Sequence, residues 1–135
     1  IGTLWRTAYI LGASFIFTID KKYQKQSSDI TRTWSKIPLF HYKSFADFLA
    51  NIPHSTKIVA LELTDTAQDL KDYQHPTRAV YLLGAEGTGI PEAYLSQVHD
   101  VVKLPGSFSL NVAVTGSIVV HDRITKINTR LPGKP

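Results

Sequence analysis

The stretch YLLGAEGTGIPEAYL, from Tyr81 to Leu95, holds a single carboxylate, Glu86, inside a turn built on Gly84, Gly87 and Gly89. An apolar run leads into the turn, and Pro91 opens a helical pattern after it. Glycine lets a chain turn sharply and lets a ligand come close to the main chain. Strand, glycine turn and helix is also how α/β proteins build sites beyond the carboxyl ends of their strands. The spacing is not G-x-G-x-x-G, and no Gly-Lys-Ser/Thr follows, so the common phosphate-binding loops drop out. Taken alone, the turn reads equally as a plain strand-to-helix connection and as a ligand loop. Two other stretches carry polar groups worth weighing. Arg6 lies in IGTLWRTAYILG, and Ser109 and Asn111 follow Leu104-Pro105-Gly106. Each has a bland reading: a solvated arginine on a helix, two helix-capping side chains, and, for Glu86, a helix-entry carboxylate favoured by the dipole.

Composition removes several kinds of chemistry. The chain has no cysteine, which excludes disulfides, thiolate metal sites and cysteine nucleophiles and accords with a cytoplasmic protein. Its five histidines show no ligand spacing, so no metal is assigned. His121-Asp122 beside Ser109 resembles part of a hydrolase triad, but no G-x-S-x-G elbow exists and that reading is rejected. No apolar run approaches the roughly 18 residues of a membrane span, and no signal peptide is visible. Fifteen Lys and Arg against eleven Asp and Glu leave a charge of +4, compatible with a polyanionic partner. KKYQKQ, Lys21 to Gln26, reads either as a grip on the phosphates of a polyanion or as a solvated loop.

The elements that must position these groups follow from periodicity. At 135 residues, 43% hydrophobic and 19% charged, the chain is expected to form one soluble domain with one core. Leu4, Trp5, Ala8, Ile10 and Leu11 have helical spacing, and Gly12 stops that helix. Ser14 to Ile19 reads as a buried strand, and the polar residues from Asp20 to Ser35 as a loop. Ser44 caps a short helix that ends at Pro53. KIVALEL, RAVYLLG and DVVKLPG read as strands, with Thr64 to Pro76 a connection and Pro91 in the first turn of a helix. The last helix runs through SLNVAVTGSIVVHDRITKI, with Leu110, Val114, Ile118, Ile124 and Ile127 along one side, and the tail NTRLPGKP frays. Strands alternating with helices predict a parallel α/β sheet covered on both faces.

Three stretches in this order resemble the SpoU/TrmH-type RNA ribose 2′-O-methyltransferases of the SPOUT superfamily. Gly2, Arg6 and Ala8 match an N-x-G-x-x-x-R-x-A first motif. Leu83, Gly84, Glu86, Gly89 and Ile90 match L-G-x-E-x-x-G-[IL], and Leu104, Pro105 and Ser109 to Ala113 match I-P-…-S-L-N-V-[SA]-[VT]. The first motif's asparagine and the family's first strand would fall ahead of Ile1. An N-terminally trimmed methyltransferase domain over residues 1–135 is therefore the expectation.

The resemblance implies a single-domain α/β knot, a parallel sheet whose C-terminal segment forms a deep trefoil, an exception to the rule against threaded chains. It implies S-adenosylmethionine as cofactor, held by Leu83, Gly84, Glu86, Gly87, Leu104, Ser109 and Leu110. It implies RNA, tRNA or rRNA, as substrate. Arg6 matches the family's catalytic arginine, supported by Glu86, Asn111 and Ser109. A homodimer is expected, with the apolar last helix and the Trp5 region as candidate surface, although core packing explains the same residues. Two other readings stand beside this one: methylation of a different RNA position, and a non-catalytic RNA-binding member of the same knotted fold.

Overall fold

The computed structural model describes residues 2–20, 37–84, 89–106 and 111–127. These fall into two compact units, the first ending at Ile52 and the second spanning Pro53–Ile127. The expected loop, from Lys21 onward, and the expected frayed tail, from Asn128, lie outside the described residues.

In the first unit, α1 (Gly2–Ile10) buries Trp5 and Ala8, the residues its apolar spacing points inward. Gly12 ends it at φ +87°, with Gly12 N donating to Tyr9 O and Ala13 N to Ala8 O. That bond pair is a Schellman stop, which glycine completes without steric cost. The Trp5 indole N–H donates to Ile37 O at 3.2 Å, and Trp5, Ala8, Ile16 and Ile37 form a core cluster. Trp5 is therefore core.

β1 (Ile16–Ile19) pairs in parallel with β2 (Leu39–Tyr42), a strand that the sequence pattern does not announce because Phe40 and His41 are exposed in a run of four. α2 (Phe45–Asn51) begins as expected. Ser44 Oγ accepts from Asp47 N at 3.1 Å, and the Asp47 carboxylate accepts from Lys43 N at 3.0 Å, a reciprocal arrangement close to a capping box. Phe48 then stacks on Phe17 with ring centroids 4.8 Å apart.

The second unit is a four-stranded sheet of β3 (Lys57–Leu61), β4 (Gln68–Asp69), β5 (Ala79–Leu83) and β6 (Asp100–Lys103), in the order β4-β6-β3-β5. Every pairing is parallel, as the alternation of elements predicts. Ile58, Val59, Ala60 and Leu61 are all buried, the continuous apolar run of a strand covered on both faces. The stretch from Thr64 to Pro76 is more than a connection. It contributes β4 and a 3-10 turn at Leu70–Asp72. Pro91 stands one place earlier than expected, at the N-cap of α3 (Glu92–Leu95).

α4 (Val112–Lys126) turns Gly116 and Val119 into the core, where Val119 joins Val59, Leu61, Leu70, Tyr73 and Val102. The described members of the expected apolar line divide. Val114 and Ile118 are exposed, while Ile124 and Ile127 are half-buried. A polar chain fixes the far end of this helix. Arg123 Nη1 donates to the Tyr81 hydroxyl at 3.0 Å and to Pro76 O at 2.7 Å. That hydroxyl lies 2.8 Å from His75 Nδ1, and His75 Nε2 lies 2.7 Å from Asp122 Oδ2. Lys126 Nζ reaches the same Asp122 oxygen at 2.9 Å and donates to Leu70 O and Tyr73 O.

A neutral His75 completes this polar chain when Tyr81 donates to Nδ1 and Nε2–H donates to Asp122. Burial of the His75 ring pushes its pKa down, against the opposing pull of Asp122. Asp122 is raised by its partial burial but held below the usual carboxylate range by Lys126 and His75. Because the folded protein resists protonating His75, the unfolded chain takes up that proton first as pH falls below about 6.5. Stability is therefore complete above that pH and declines below it. Urea unfolding across that window should show the decline in the wild type and a flatter profile in His75→Gln. Asp122→Ala should lower the unfolding free energy by about 1–3 kcal/mol, leaving His75 Nε2–H without its acceptor.

Candidate functional site

β5 and β6 flank β3 on opposite sides, so the chain crosses β3 on its way from one to the other through α3. In open parallel sheets ligands bind beyond the carboxyl ends of the strands, the carboxyl edge of the sheet. The residues at this edge are the ends of β3, β5 and β6 and those immediately after them.

Two of the sequence motifs arrive here. Leu83 closes β5 and Gly84 follows it; Leu104 follows β6. Both leucines are half-buried against the core cluster around Val59, Leu61 and Val102. The structure thus brings Leu83, Gly84 and Leu104 to one sheet edge. Asn111 is the N-cap of α4, its Oδ1 accepting from Ala113 N at 2.8 Å and from Val114 N at 3.4 Å. Its capping role, the bland reading of this residue, is realised. Arg6 is half-buried on α1, in the first unit. Glu86, Gly87, Ser109 and Leu110 lie outside the described residues.

Two glycines of the turn have a reason for being glycine that the sequence alone does not reveal. A Cβ on Gly84 would stand 2.5 Å from the Gly89 carbonyl carbon and 2.7 Å from its Cα. Real Cβ atoms do not approach backbone so closely, so the two ends of the turn meet only because Gly84 has no side chain. Gly89 adopts φ +70°, and a Cβ there would stand 2.7 Å from Glu62 Oε2. Close approach of main chain to main chain, rather than of ligand to main chain, is the first demand on this pair.

Glu62 itself escaped the sequence reading. It follows β3, and its carboxylate accepts from Ile90 N at 2.8 Å through Oε2 and from Leu63 N at 3.2 Å through Oε1. The signal was present: a lone carboxylate closes the apolar run KIVALEL where the strand must end. Among the described residues, no group of His, Cys, Asp or Glu could hold a metal ion, and no helix is long and apolar enough to cross a membrane.

Comparison with known proteins bears on what this edge is for. The sequence model of the SpoU rRNA Methylase family matches residues 1–121. The chain belongs to the SpoU rRNA methylase family. A curated relative, tRNA (guanosine(18)-2′-O)-methyltransferase TARBP1 of Mus musculus, is 25% identical over 132 residues. That alignment covers 90% of this chain, which spans 8% of the length of the mouse protein. Among solved structures, one described as giving insights into the 2-OH methylation of C/U34 on tRNA superposes with a TM-score of 0.78 at 25% identity. It covers 96% of this chain and 88% of that one. An AdoMet-bound rRNA methyltransferase from Sinorhizobium meliloti shares the fold at TM-score 0.78 and 23% identity, over 92% of this chain and 50% of that one.

The SpoU family match takes in all three sequence motifs, including the residues of the sheet edge. The parallel α/β fold agrees with the expectation from the alternating elements. The glycine geometry of this SpoU member makes a test independent of activity. Gly84→Ala must displace the backbone at Gly89 and should lower the unfolding free energy by about 1–3 kcal/mol. Gly106→Ala meets no atom within 4 Å but sits at φ +116°, so it should cost about 1–2 kcal/mol of backbone strain alone. Crystal structures of the two variants should show a displaced turn base in the first only.

Proposed function

We propose that this SpoU-family chain is the catalytic domain of an S-adenosylmethionine-dependent methyltransferase that modifies a ribose 2′-hydroxyl in tRNA or rRNA. The observation that carries the reading is the family match through residues 1–121, joined to the convergence of Leu83, Gly84 and Leu104 at the carboxyl edge beside β3. The mouse relative named for 2′-O-methylation of a tRNA guanosine points the same way. The two compact units are taken together as one methyltransferase domain, because the match runs through both. The family also implies the trefoil knot in the C-terminal part of the chain.

The residues at this edge suit the cofactor. Leu104, together with Leu110 in this reading, offers apolar walls for an adenine, and a glycine turn offers main-chain donors and acceptors without side chains in the way. In this reading Gly84, Glu86, Gly87, Ser109 and Leu110 complete the cofactor site. When bound, S-adenosylmethionine supplies a methyl group already activated on a sulfonium sulfur. The protein's part is to orient the ribose oxygen and to help its hydroxyl lose a proton.

Arg6 is assigned that task. A guanidinium stays charged, with a pKa above about 12, so it is a poor base. It grips a substrate phosphate with two parallel N–H groups and stabilises the emerging alkoxide, with the phosphate as a route for the proton. Asn111, the cap of α4, and Ser109 hold the third motif in place, and Glu86 presents the carboxylate of the second. The +4 charge supports RNA as the partner. The exposed Val114 and Ile118 on α4 support a homodimer formed through that helix. The absence of cysteine supports a cytoplasmic location.

The alternative of a non-catalytic RNA-binding member is disfavoured by the presence of Arg6, Glu86 and Asn111 together. Calorimetry separates the two readings, since an RNA-binding module has no need of S-adenosylmethionine. Arg6→Ala should leave cofactor affinity unchanged while methylation slows by about 10²–10³-fold. Arg6→Lys should recover little, because a point charge cannot reproduce a planar fork. RNA with a single 2′-deoxy nucleotide at the modified position should bind and accept no methyl group. Transfer to that substrate would move the chemistry to the base. Sedimentation equilibrium should give twice the monomer mass, and Ile118→Asp should shift it towards the monomer.

A further inference from the structure

We infer that Glu62 is a positioning residue of the cofactor site, fixing Gly89 and Ile90 where the chain re-enters the fold beside Gly84. The inference rests on the methyltransferase reading above, but its evidence is separate. Glu62 does not belong to any of the three motifs, and it lies 28 residues from the main-chain group it holds.

Four contacts define its position. Its own N–H donates to Val102 O at 3.1 Å, which ties the end of β3 to β6. Its Oε1 accepts from the neighbouring Leu63 N, which fixes the carboxylate plane locally. Its Oε2 accepts from Ile90 N at 2.8 Å, at the exit of the turn. Gly89 lies against the same oxygen so closely that a Cβ would stand 2.7 Å from it. Glu62 thus joins the ends of β3 and β6 to the exit of the β5 turn, all at the carboxyl edge of the sheet.

The chemistry explains why a carboxylate stands there. A bond from a main-chain N–H to an ionised acceptor is about twice as strong as one between neutral groups. The following residue, Pro91, has no N–H to offer in its place. The Ile90 side chain is itself buried, so the turn exit is held by packing from one side and by Glu62 from the other. Removing the carboxylate leaves the packing and releases the Ile90 N–H. A residue that merely stabilised the fold would lower stability without singling out one ligand. A positioning residue must weaken the cofactor selectively.

The test compares Glu62→Ala, Glu62→Gln and the wild type of the full-length protein, using S-adenosylmethionine calorimetry, steady-state kinetics and thermal unfolding. Glu62→Ala should weaken S-adenosylmethionine binding by about tenfold, the loss of one charge-assisted hydrogen bond. Its KM for the cofactor should rise while its KM for RNA stays at the wild-type value. Glu62→Gln keeps an amide oxygen in reach of Ile90 N and should recover most of the affinity. If the alanine variant does not fold, Glu62→Asp carries the same comparison, since it keeps the charge but withdraws the carboxylate by one methylene. Wild-type cofactor affinity in Glu62→Ala, or equal loss of affinity for cofactor and RNA, would overturn the assignment of Glu62. No heat from S-adenosylmethionine with the wild type would instead overturn the methyltransferase reading, and this inference with it.

Discussion

The second unit depends on one strand being buried on both faces. Ile58, Val59, Ala60 and Leu61 have almost no exposed surface, and β3 bonds to β5 along one side and to β6 along the other. Such a strand has no face to give to solvent, so it must be apolar throughout and central. Its neighbours are then set by where the chain can go next. Because β5 and β6 take opposite sides, the chain must cross β3 between them, and the exit of the β5 turn comes to the end of β3. Glu62 is the first residue after β3, and its carboxylate meets the Ile90 N–H there.

The other end of the same unit is fastened by polar groups instead. Arg123, Asp122 and Lys126 are on the last turns of α4, and their partners lie in the segment from Leu70 to Tyr81. The helix presents only Gly116 and Val119 as fully buried residues, a thin apolar face for 15 residues. Its exposed apolar residues, Val114 and Ile118, are on its N-terminal half. The helix is thus fastened to its own sheet by hydrogen bonds at its C-terminal end and exposes apolar side chains on its N-terminal half. The neutral His75 suits that task, since it accepts from Tyr81 and donates to Asp122 at once, with both ring nitrogens used.

Much of this was readable in the sequence, for stated physical reasons. Strands with continuous apolar runs, such as KIVAL and AVYLL, appear where periodicity places them. Helix ends with local chemistry also appear there: Ser44 at the start of α2, Gly12 at the end of α1 and Asn111 at the start of α4. Elements without a local signature were not readable. β2 has two exposed residues in four, and β4 is a two-residue pairing whose existence depends on β6, far away in sequence. Partnerships at long separation were equally silent. Nothing local links His75 to Asp122 or Glu62 to Ile90, because each is chosen by the fold that brings it close. Motif order carried the family, but not the reason each motif residue has its identity.

The glycines of the second motif make that distinction concrete. From composition, a glycine turn at a strand end invites the idea that a ligand needs room. In the fold, Gly84 needs room for Gly89, and Gly89 needs a positive φ and clearance from Glu62. Both demands exist before any ligand arrives. Loss of activity on enlarging either residue would therefore report first on whether the turn can close at its base. Only substitutions that leave this closure intact can show what the turn contributes to binding, and Glu62→Gln is of that kind. The order of causes runs from a buried strand, to the carboxylate at its end, to a turn whose base is closed by two glycines against that carboxylate.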